Sequence, residues 1–341
     1  MGLLERLERL CAIPGVSGWE DDVRTSILAE IEGKCEYKID ALGNIIAFKK
    51  GRKRAENTVL FSAHMDEVGF IITAIEETGL LRFATVGGID SRCVVGKAVQ
   101  IGANGIHGVI GTKPVHLQKA SEREKALDIS ALYIDIGAKT KDEAAAHVKL
   151  GDRAVFKAEF TKFGEGMLLG RAFDDRAGCA LLVELICTEL EYDCSFSFTV
   201  QEETGCTGAV TAAWHTAPDI AVAVETTTAS DIAGTPPDKT VCKLGGGPVI
   251  SFMDRGTVYD HKLYSFAADL AERRGLAYQS KQGVFGGNEA RSLQAAKAGS
   301  RALAISLPCR YLHTPSNMLA ESDLQSTLEL LLAFAEEAAN L

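Results

Sequence analysis

The 341-residue chain has no Cys-x-x-Cys pair, and its nine cysteines are odd in number and scattered from Cys11 to Cys309. That distribution argues against a disulfide framework and against a structural zinc ribbon; it reads as reduced thiols, mostly packed as small hydrophobes. There is no uncharged apolar run approaching the roughly 18 residues of a membrane span. The first seven residues, Met1-Gly2-Leu3-Leu4-Glu5-Arg6-Leu7, are charged from the outset and lack the apolar stretch of a secretion signal. A soluble, cytoplasmic protein is the expectation. Positive charge is also in short supply. Lys and Arg total 36 against 46 Asp and Glu, a net charge of −10, so neither nucleic acid nor an anionic membrane surface is an expected partner. Internal repeats and low-complexity tracts are absent as well. What remains is a globular composition, 46% apolar and 24% charged, long enough for about two domains at roughly 150 residues each.

The chain changes texture twice. Leu3, Leu4, Leu7 and Leu10 fall at helical spacing until Pro14-Gly15 interrupts them, and a second amphipathic helix follows Gly18 and runs to Ile31. Short β-like runs come next, at 37–39, 45–48 and 58–63. From Val68 to about Glu165, Val/Ile-rich runs punctuated by glycines predict a small β-barrel or sandwich, with one helical candidate at 141–149. Beyond Gly170, strand and helix alternate: helices at 177–190, 207–215, 259–274 and 324–340, strands at 195–200, 220–224 and 302–307. This alternation predicts an α/β layer with a mixed, largely parallel sheet flanked by helices. Because 58–63 reads as a strand of the same sheet, the expected organisation is a discontinuous α/β domain, 1–67 plus 166–341, with residues 68–165 inserted as a β-rich unit.

Ionisable residues repeat one position within this pattern. His64 and Asp66 follow the apolar run Val59-Leu60-Phe61-Ser62-Ala63. Glu202 and Glu203 follow Phe196 to Val200, Glu225 ends Ala221 to Val224, and His313 comes shortly after Ala304 to Leu307. Asp174 and Asp175 precede the helix beginning near Ala177. Taken singly, an Asp-Asp pair is usually a helix cap and a His after a strand a hydrogen-bonded loop residue. Taken together, five segments deliver His, Asp or Glu to the carboxyl-end rim of one sheet, where open α/β folds build their sites. Two His with several carboxylates suit divalent ions of the zinc or cobalt type. A bridging carboxylate with one His and one further carboxylate for each ion would make a paired site, and an adjacent glutamate that is not a ligand could act as base. His107, His116, His147, His215 and His261 lack such a setting.

Four stretches carry a specific likeness: Ala63-His64-Met65-Asp66-Glu67-Val68-Gly69-Phe70, Gly170-Arg171-Ala172-Phe173-Asp174-Asp175-Arg176-Ala177-Gly178-Cys179, Val200-Gln201-Glu202-Glu203-Thr204-Gly205, and Arg310-Tyr311-Leu312-His313-Thr314-Pro315. In this order they resemble the tetrahedral aminopeptidase family of dinuclear metallopeptidases, also known as glutamyl aminopeptidases or cellulase M-like proteins. The likeness extends from about Glu5 to the C-terminus. It implies an enzyme that removes N-terminal residues from short peptides with two divalent ions per subunit, Zn²⁺ or Co²⁺. Residue by residue, it implies that His64 and Glu225 each bind one of the two ions, that Asp174 bridges them, and that Glu203 and His313 complete the second site. Glu202 would be the general base, and Asp66 would steady the His64 imidazole. Asp175 would be a turn neighbour, joined to Asp174 through a cis peptide. Homo-oligomers are implied too, dimers assembling to dodecamers, with the inserted domain making contacts.

Two departures stand out. Glu225-Thr226-Thr227 replaces the family's usual Asp-Val-Thr, and Gly286-Gly287-Asn288-Glu289-Ala290-Arg291 replaces Gly-Gly-Thr-Asp-Ala-Gly, so the residue preference does not carry over. A dinuclear amidohydrolase acting on acylated small molecules shares the same donor set. A glycoside hydrolase would have no use for His64 and His313 on one rim, and a non-catalytic assembly protein would have no need of Glu202.

Overall fold

The computed structural model describes residues 1–118, 124 and 126–341. In chain order the helices are α1 (Leu3–Ala12), α2 (Asp21–Ile31), α3 (Lys141–Ala145), α4 (Phe173–Cys187), α5 (Thr207–Thr216), α6 (His261–Arg274), α7 (Ala290–Ala295) and α8 (Glu321–Glu337). The strands before and within the inserted region are β1 (Glu36–Ile39), β2 (Ile45–Lys49), β3 (Val59–His64), β4 (Gly69–Ile75), β5 (Leu81–Val86), β6 (Ala98–Ile101), β7 (Ile106–Gly111), β8 (Tyr133–Asp135) and β9 (Arg153–Phe156). After it come β10 (Thr161–Phe163), β11 (Met167–Gly170), β12 (Cys194–Thr199), β13 (Ile220–Thr228), β14 (Val249–Ile250), β15 (Gln279–Ser280), β16 (Arg301–Cys309) and β17 (Asn317–Ala320).

Eight strands form one mixed sheet in the order β1-β2-β12-β3-β13-β16-β14-β15. Its centre, β12, β3, β13 and β16, is parallel, so four carboxyl ends share one rim. Antiparallel β2 and β14 flank that centre. Register aligns the rim: Thr199 pairs with His64 and Glu225 with Ser306. The central strands are buried on both faces, which is why they read as continuous apolar runs.

Helices α1, α2, α4, α6 and α8 cover one face, with α5 and α7 on the other. Under the first face Phe61 stacks on Phe196 at 5.7 Å between ring centroids and meets the edge of Phe334 at 6.2 Å. Burial of each such ring contributes roughly 2–3 kcal/mol. Helix α4 is apolar all round from Ala177 to Ile186 apart from Glu184, as a helix held between a sheet and other helices should be. Gly178 lets α4 approach the sheet: a Cβ there would stand 2.5 Å from the Val224 carbonyl oxygen and 2.4 Å from the Asp175 carboxylate.

Strands β4-β5-β8-β7-β6-β9 close into a barrel between β3 and α4 in the chain. Its core is built on Phe70, whose ring meets the edges of Phe83 and Phe156, both at 5.1 Å. At the junction the fully buried Arg176 donates to the carbonyls of Met65, Leu10 and Ile13, and Arg171 pairs with Glu67. The chain leaving His64 is thereby fastened to α1.

The strand and helix positions expected from sequence hold with boundary shifts, and four features were not foreseen. The helix expected at 141–149 ends at Ala145. The segment Gly164–Gly166 turns β10 back onto β11, which continues a small sheet to β17. Two-residue strands β14 and β15 are too short to leave an alternating pattern, and α7 covers fewer than two helical turns. All nine cysteines are free. Among the described residues no helix is long and apolar enough to cross a membrane.

Candidate metal centre

All seven residues singled out from the sequence lie together at the rim. His64 closes β3 and is 1% exposed; its Nε2 stands 3.6 Å from Asp174 Oδ1, 3.5 Å from Glu225 Oε2 and 3.9 Å from Glu202 Oε2. His313 Nε2 stands 3.3 Å from Asp174 Oδ2 and 3.3 Å from Glu203 Oε1. The two oxygens of Asp174 thus face two different imidazoles, with Glu225 beyond one and Glu203 beyond the other.

The backbone sets which nitrogen faces the carboxylates. His64 Nδ1 lies 3.0 Å from the Asp66 carbonyl oxygen, and His313 Nδ1 lies 2.7 Å from that of Gly88, in the loop after barrel strand β5. A carbonyl only accepts, so each Nδ1 carries a proton and Nε2 is the nitrogen left to face the carboxylates. Nε2 of His64 and of His313 therefore faces carboxylate oxygens, an arrangement satisfied by a proton on the imidazole or by a cation between the groups. Glu203 Oε1 and Glu225 Oε1 are buried and accept no hydrogen bond, which natural interiors rarely tolerate without an ion or water.

The charge balance says the same. Asp66, Asp174, Asp175, Glu202, Glu203 and Glu225 cluster around two imidazoles. Burial alone would lower both histidines, yet Glu225, Asp174 and Asp66 raise His64 well above its ordinary value, and Asp174 and Glu203 raise His313 to about 11. Burial pushes Glu202 up to about 7, with Glu203 and Asp174 adding to it, and raises Glu225 well above the usual carboxyl range. Asp174 and Asp66 are lowered, despite their burial, by the imidazoles beside them, whereas Glu202, Glu203, Glu225 and Asp175 are raised by burial and by neighbouring carboxylates, which marks a site short of positive charge. Divalent ions supply it. The donor atoms of His64, Asp174 and Glu203 lie within 4.8 Å of one another, as do those of His64, Asp175 and Glu225.

Asp66 and Asp175 serve the backbone. The Asp66 carboxylate accepts from Ser17 Oγ (2.6 Å) and from the amides of Glu202 (3.0 Å) and Glu203 (3.1 Å), and lies 3.5 Å from His64 Nδ1. It therefore joins two rim segments, while its carbonyl is the nearer partner of the imidazole. Asp175, expected only as a turn neighbour, accepts from the amides of His64 (3.3 Å) and Gly178 (2.9 Å), and the Asp174–Asp175 peptide is cis. Just before or within the rim segments, Ala172, Gln201 and His313 hold left-handed φ values of 57°, 57° and 58°. Such strain in non-glycine residues costs about 1–3 kcal/mol each and concentrates at functional sites.

The cluster opens into a cavity of about 530 Å³, lined also by Thr226, Lys281, Phe285 and Arg291. Cys206 lies beside it, its Sγ 3.3 Å from Glu202 Oε1. Sequence reasoning missed Lys281, Gly88 and Ser17. Each acts through a contact between distant segments, and none has a local pattern to mark it.

The family model of the M42 glutamyl aminopeptidases matches residues 43–330, a span that holds the rim residues and the barrel. The chain belongs to that family. Among M42 relatives, the lysyl aminopeptidase of Pyrococcus furiosus is 30% identical, with 98% of this chain and 96% of that protein aligned. The TET1 peptidase of Pyrococcus horikoshii, which can assemble into a tetrahedron or a large octahedral shell, is 37% identical with a TM-score of 0.88, covering 98% of this chain and all of that one (100%). The TET aminopeptidase of a marine-sediment archaeon of the Thaumarchaeota superposes with a TM-score of 0.94 at 32% identity, covering 98% and 96%. Mixed α/β layering with a closed barrel is thus an architecture this chain shares with tetrahedral aminopeptidases.

Proposed function

We propose that the protein is a metal-dependent aminopeptidase that removes N-terminal residues from short peptides using two divalent ions per subunit, Zn²⁺ or Co²⁺. The observation carrying this reading is the Asp174 carboxylate, each of whose oxygens faces the Nε2 of a different histidine beside a cavity. His64 and Glu225 would hold one ion, Glu203 and His313 the other, and Asp174 both. When bound, such ions polarise a carbonyl and make water nucleophilic at neutral pH.

The remaining work falls to side chains. Glu202, beside the cluster without an imidazole of its own, would take the proton from the attacking water and return it to the leaving amine. The Asp66 carboxylate holds the Glu202 and Glu203 amides, so it would keep base and ligand at a constant separation. The Gly88 carbonyl holds the His313 tautomer, which ties the barrel to the chemistry as well as to the assembly we assign it. Residues 1–67 and 166–341 form the catalytic domain in this reading, and 68–165 the dimerisation and assembly domain of a cytoplasmic homo-oligomer.

Matched peptides with free and N-acetylated termini test the activity. The expected result is release of the first residue from the free peptides alone. Cleavage of the acetylated set at a comparable rate would identify an amidohydrolase instead.

A further inference from the structure

Helix α4 carries Asp174 in its first turn and ends at Cys187, roughly 20 Å away at 1.5 Å per residue. A second chemical cluster forms at that far end. The Lys34 ammonium donates to Cys187 Sγ at 3.2 Å, across 153 positions of chain. Cys35, the next residue after Lys34, follows the end of α2, its Sγ 3.9 Å from the Ile31 carbonyl oxygen, and the field of Cys187 reaches it. Both thiols pack against the edge of the main core and both stay half-buried. Lys49 completes the cluster. Its ammonium donates to the Lys34 carbonyl at 3.0 Å, and the pairing of Glu36 with Phe48 sets Lys49 across from Cys35. Glu32 also reaches Cys35, its carboxylate held by the Tyr37 hydroxyl at 2.7 Å. Two thiols open to small solutes thus stand among two ammonium groups, whereas Cys11, Cys179, Cys194, Cys242 and Cys309 are buried.

We propose that Cys187 and Cys35 form a peroxide-responsive dithiol, in which Cys187 takes the oxidant and Cys35 closes a reversible disulfide with it. The Cys187 thiolate attacks one oxygen of hydrogen peroxide. An S–O bond forms, the O–O bond breaks, and the departing hydroxide leaves as water with the proton the thiol gave up. Cys35 then attacks the sulfenic sulfur. An S–S bond forms, the S–O bond breaks, and the hydroxide released takes the Cys35 proton to become a second water. The two sulfurs together supply the two electrons that reduce the peroxide. Lys34 serves the first step, because a donor on sulfur stabilises the charge of the attacking thiolate. Cys187 needs that donor, since the carbonyl end of α4 opposes negative charge. Burial raises Cys35, with Lys49 acting against it, which casts Cys35 as the later of the two to react. Lys34 and Cys35 are neighbours in sequence, so the activating ammonium and the resolving thiol arrive on one segment. Closed, the bridge fastens α4, the helix that begins beside Asp174, to the end of α2.

The experiment treats the full-length, Zn²⁺-loaded protein with a small excess of hydrogen peroxide, counts free thiols over time, and maps unreduced peptides by mass spectrometry. The expected result is the loss of two thiols per chain, a cross-linked peptide joining Cys35 to Cys187, and recovery of both thiols with dithiothreitol. In Cys35→Ser the reaction is expected to stop at the Cys187 sulfenic acid, trapped by dimedone. Lys34→Met is expected to slow cross-linking by about 10-fold, the lower end for a hydrogen bond to a charged group. The half-buried Cys93 and Cys206 provide the internal comparison, and oxidation of either ahead of Cys187 overturns the assignment. Absence of the cross-link in the wild-type protein, or its formation only after unfolding in urea, overturns the proposal whether or not the variants fold. A sulfenic acid that persists on Cys187 in the wild-type protein overturns the pairing with Cys35. A rate unmoved by Lys34→Met overturns the role given to Lys34.

Discussion

Glu202→Gln is expected to lower kcat by about 10³-fold while the protein keeps its fold and its full metal content. The amide matches the carboxylate in shape, so the Glu202 backbone bond to Asp66 survives and none of the proposed ligands is removed. It cannot take up a proton. General acid–base groups contribute about 10²–10⁴-fold, and of the three carboxylates that our assignment leaves free of ligand duty, Asp66 and Asp175 hold backbone amides while Glu202 lines the cavity. Steady-state kinetics with metal analysis on the same samples checks this. Near-normal turnover would mean that another group acts as base. Loss of metal together with turnover would make Glu202 a ligand.

Asp174→Asn is expected to have the broader effect. Removing the charge from the carboxylate that faces both His64 and His313 weakens both sites at once, with apparent metal affinity falling by about 10²-fold or more and hydrolysis dropping to background. Losing a group that only hydrogen-bonds to a ligand typically costs about 10–100-fold in affinity, and a shared ligand should cost at least the upper end. Titration calorimetry and metal content after dialysis measure it. Unchanged stoichiometry with tight binding would remove Asp174 from the ligand set and reduce it to a helix-start residue, the ordinary role of an Asp at that place.

The contrast between Asp174 and Asp175 shows how far local pattern goes. Both are visible as a pair before a helix, and the resemblance implies a ligand in Asp174 and a turn neighbour in Asp175. Only the folded chain reveals that Asp175 is wholly buried and holds the His64 amide. The rim was legible because parallel strands buried on both faces leave unmistakable apolar runs, and each run here ends in a residue such as His64 or Glu225. Lys281 was not, because β14 and β15 have two residues each and nothing local distinguishes a lysine that will be buried from one that will be solvated. The Gly88 carbonyl was beyond sequence reading altogether, since it meets His313 across 225 positions of chain. The glycine-punctuated strands of 68–165 did predict a barrel or sandwich, and the closed six-strand barrel resolves that choice.

Acidic and basic side chains occupy separate parts of the same cavity. The acids stand where β12 and β13 end and α4 begins, and the cations stand after β14, after β15 and on α7. The second set includes the stretch 286–291, where this chain departs from the usual family sequence. Glu289, also in that stretch, is fully buried and accepts from Thr199 Oγ1 at 2.6 Å, so it supports the rim from beneath and leaves the cavity to Arg291.

The most direct test of the account is a metal titration of the chelated protein, following release of the N-terminal residue from an unblocked peptide. The account predicts no release from the metal-free protein, recovery on addition of Zn²⁺ or Co²⁺, and saturation at two ions per chain. Undiminished release after complete chelation would contradict it, and so would full activity at one ion per chain.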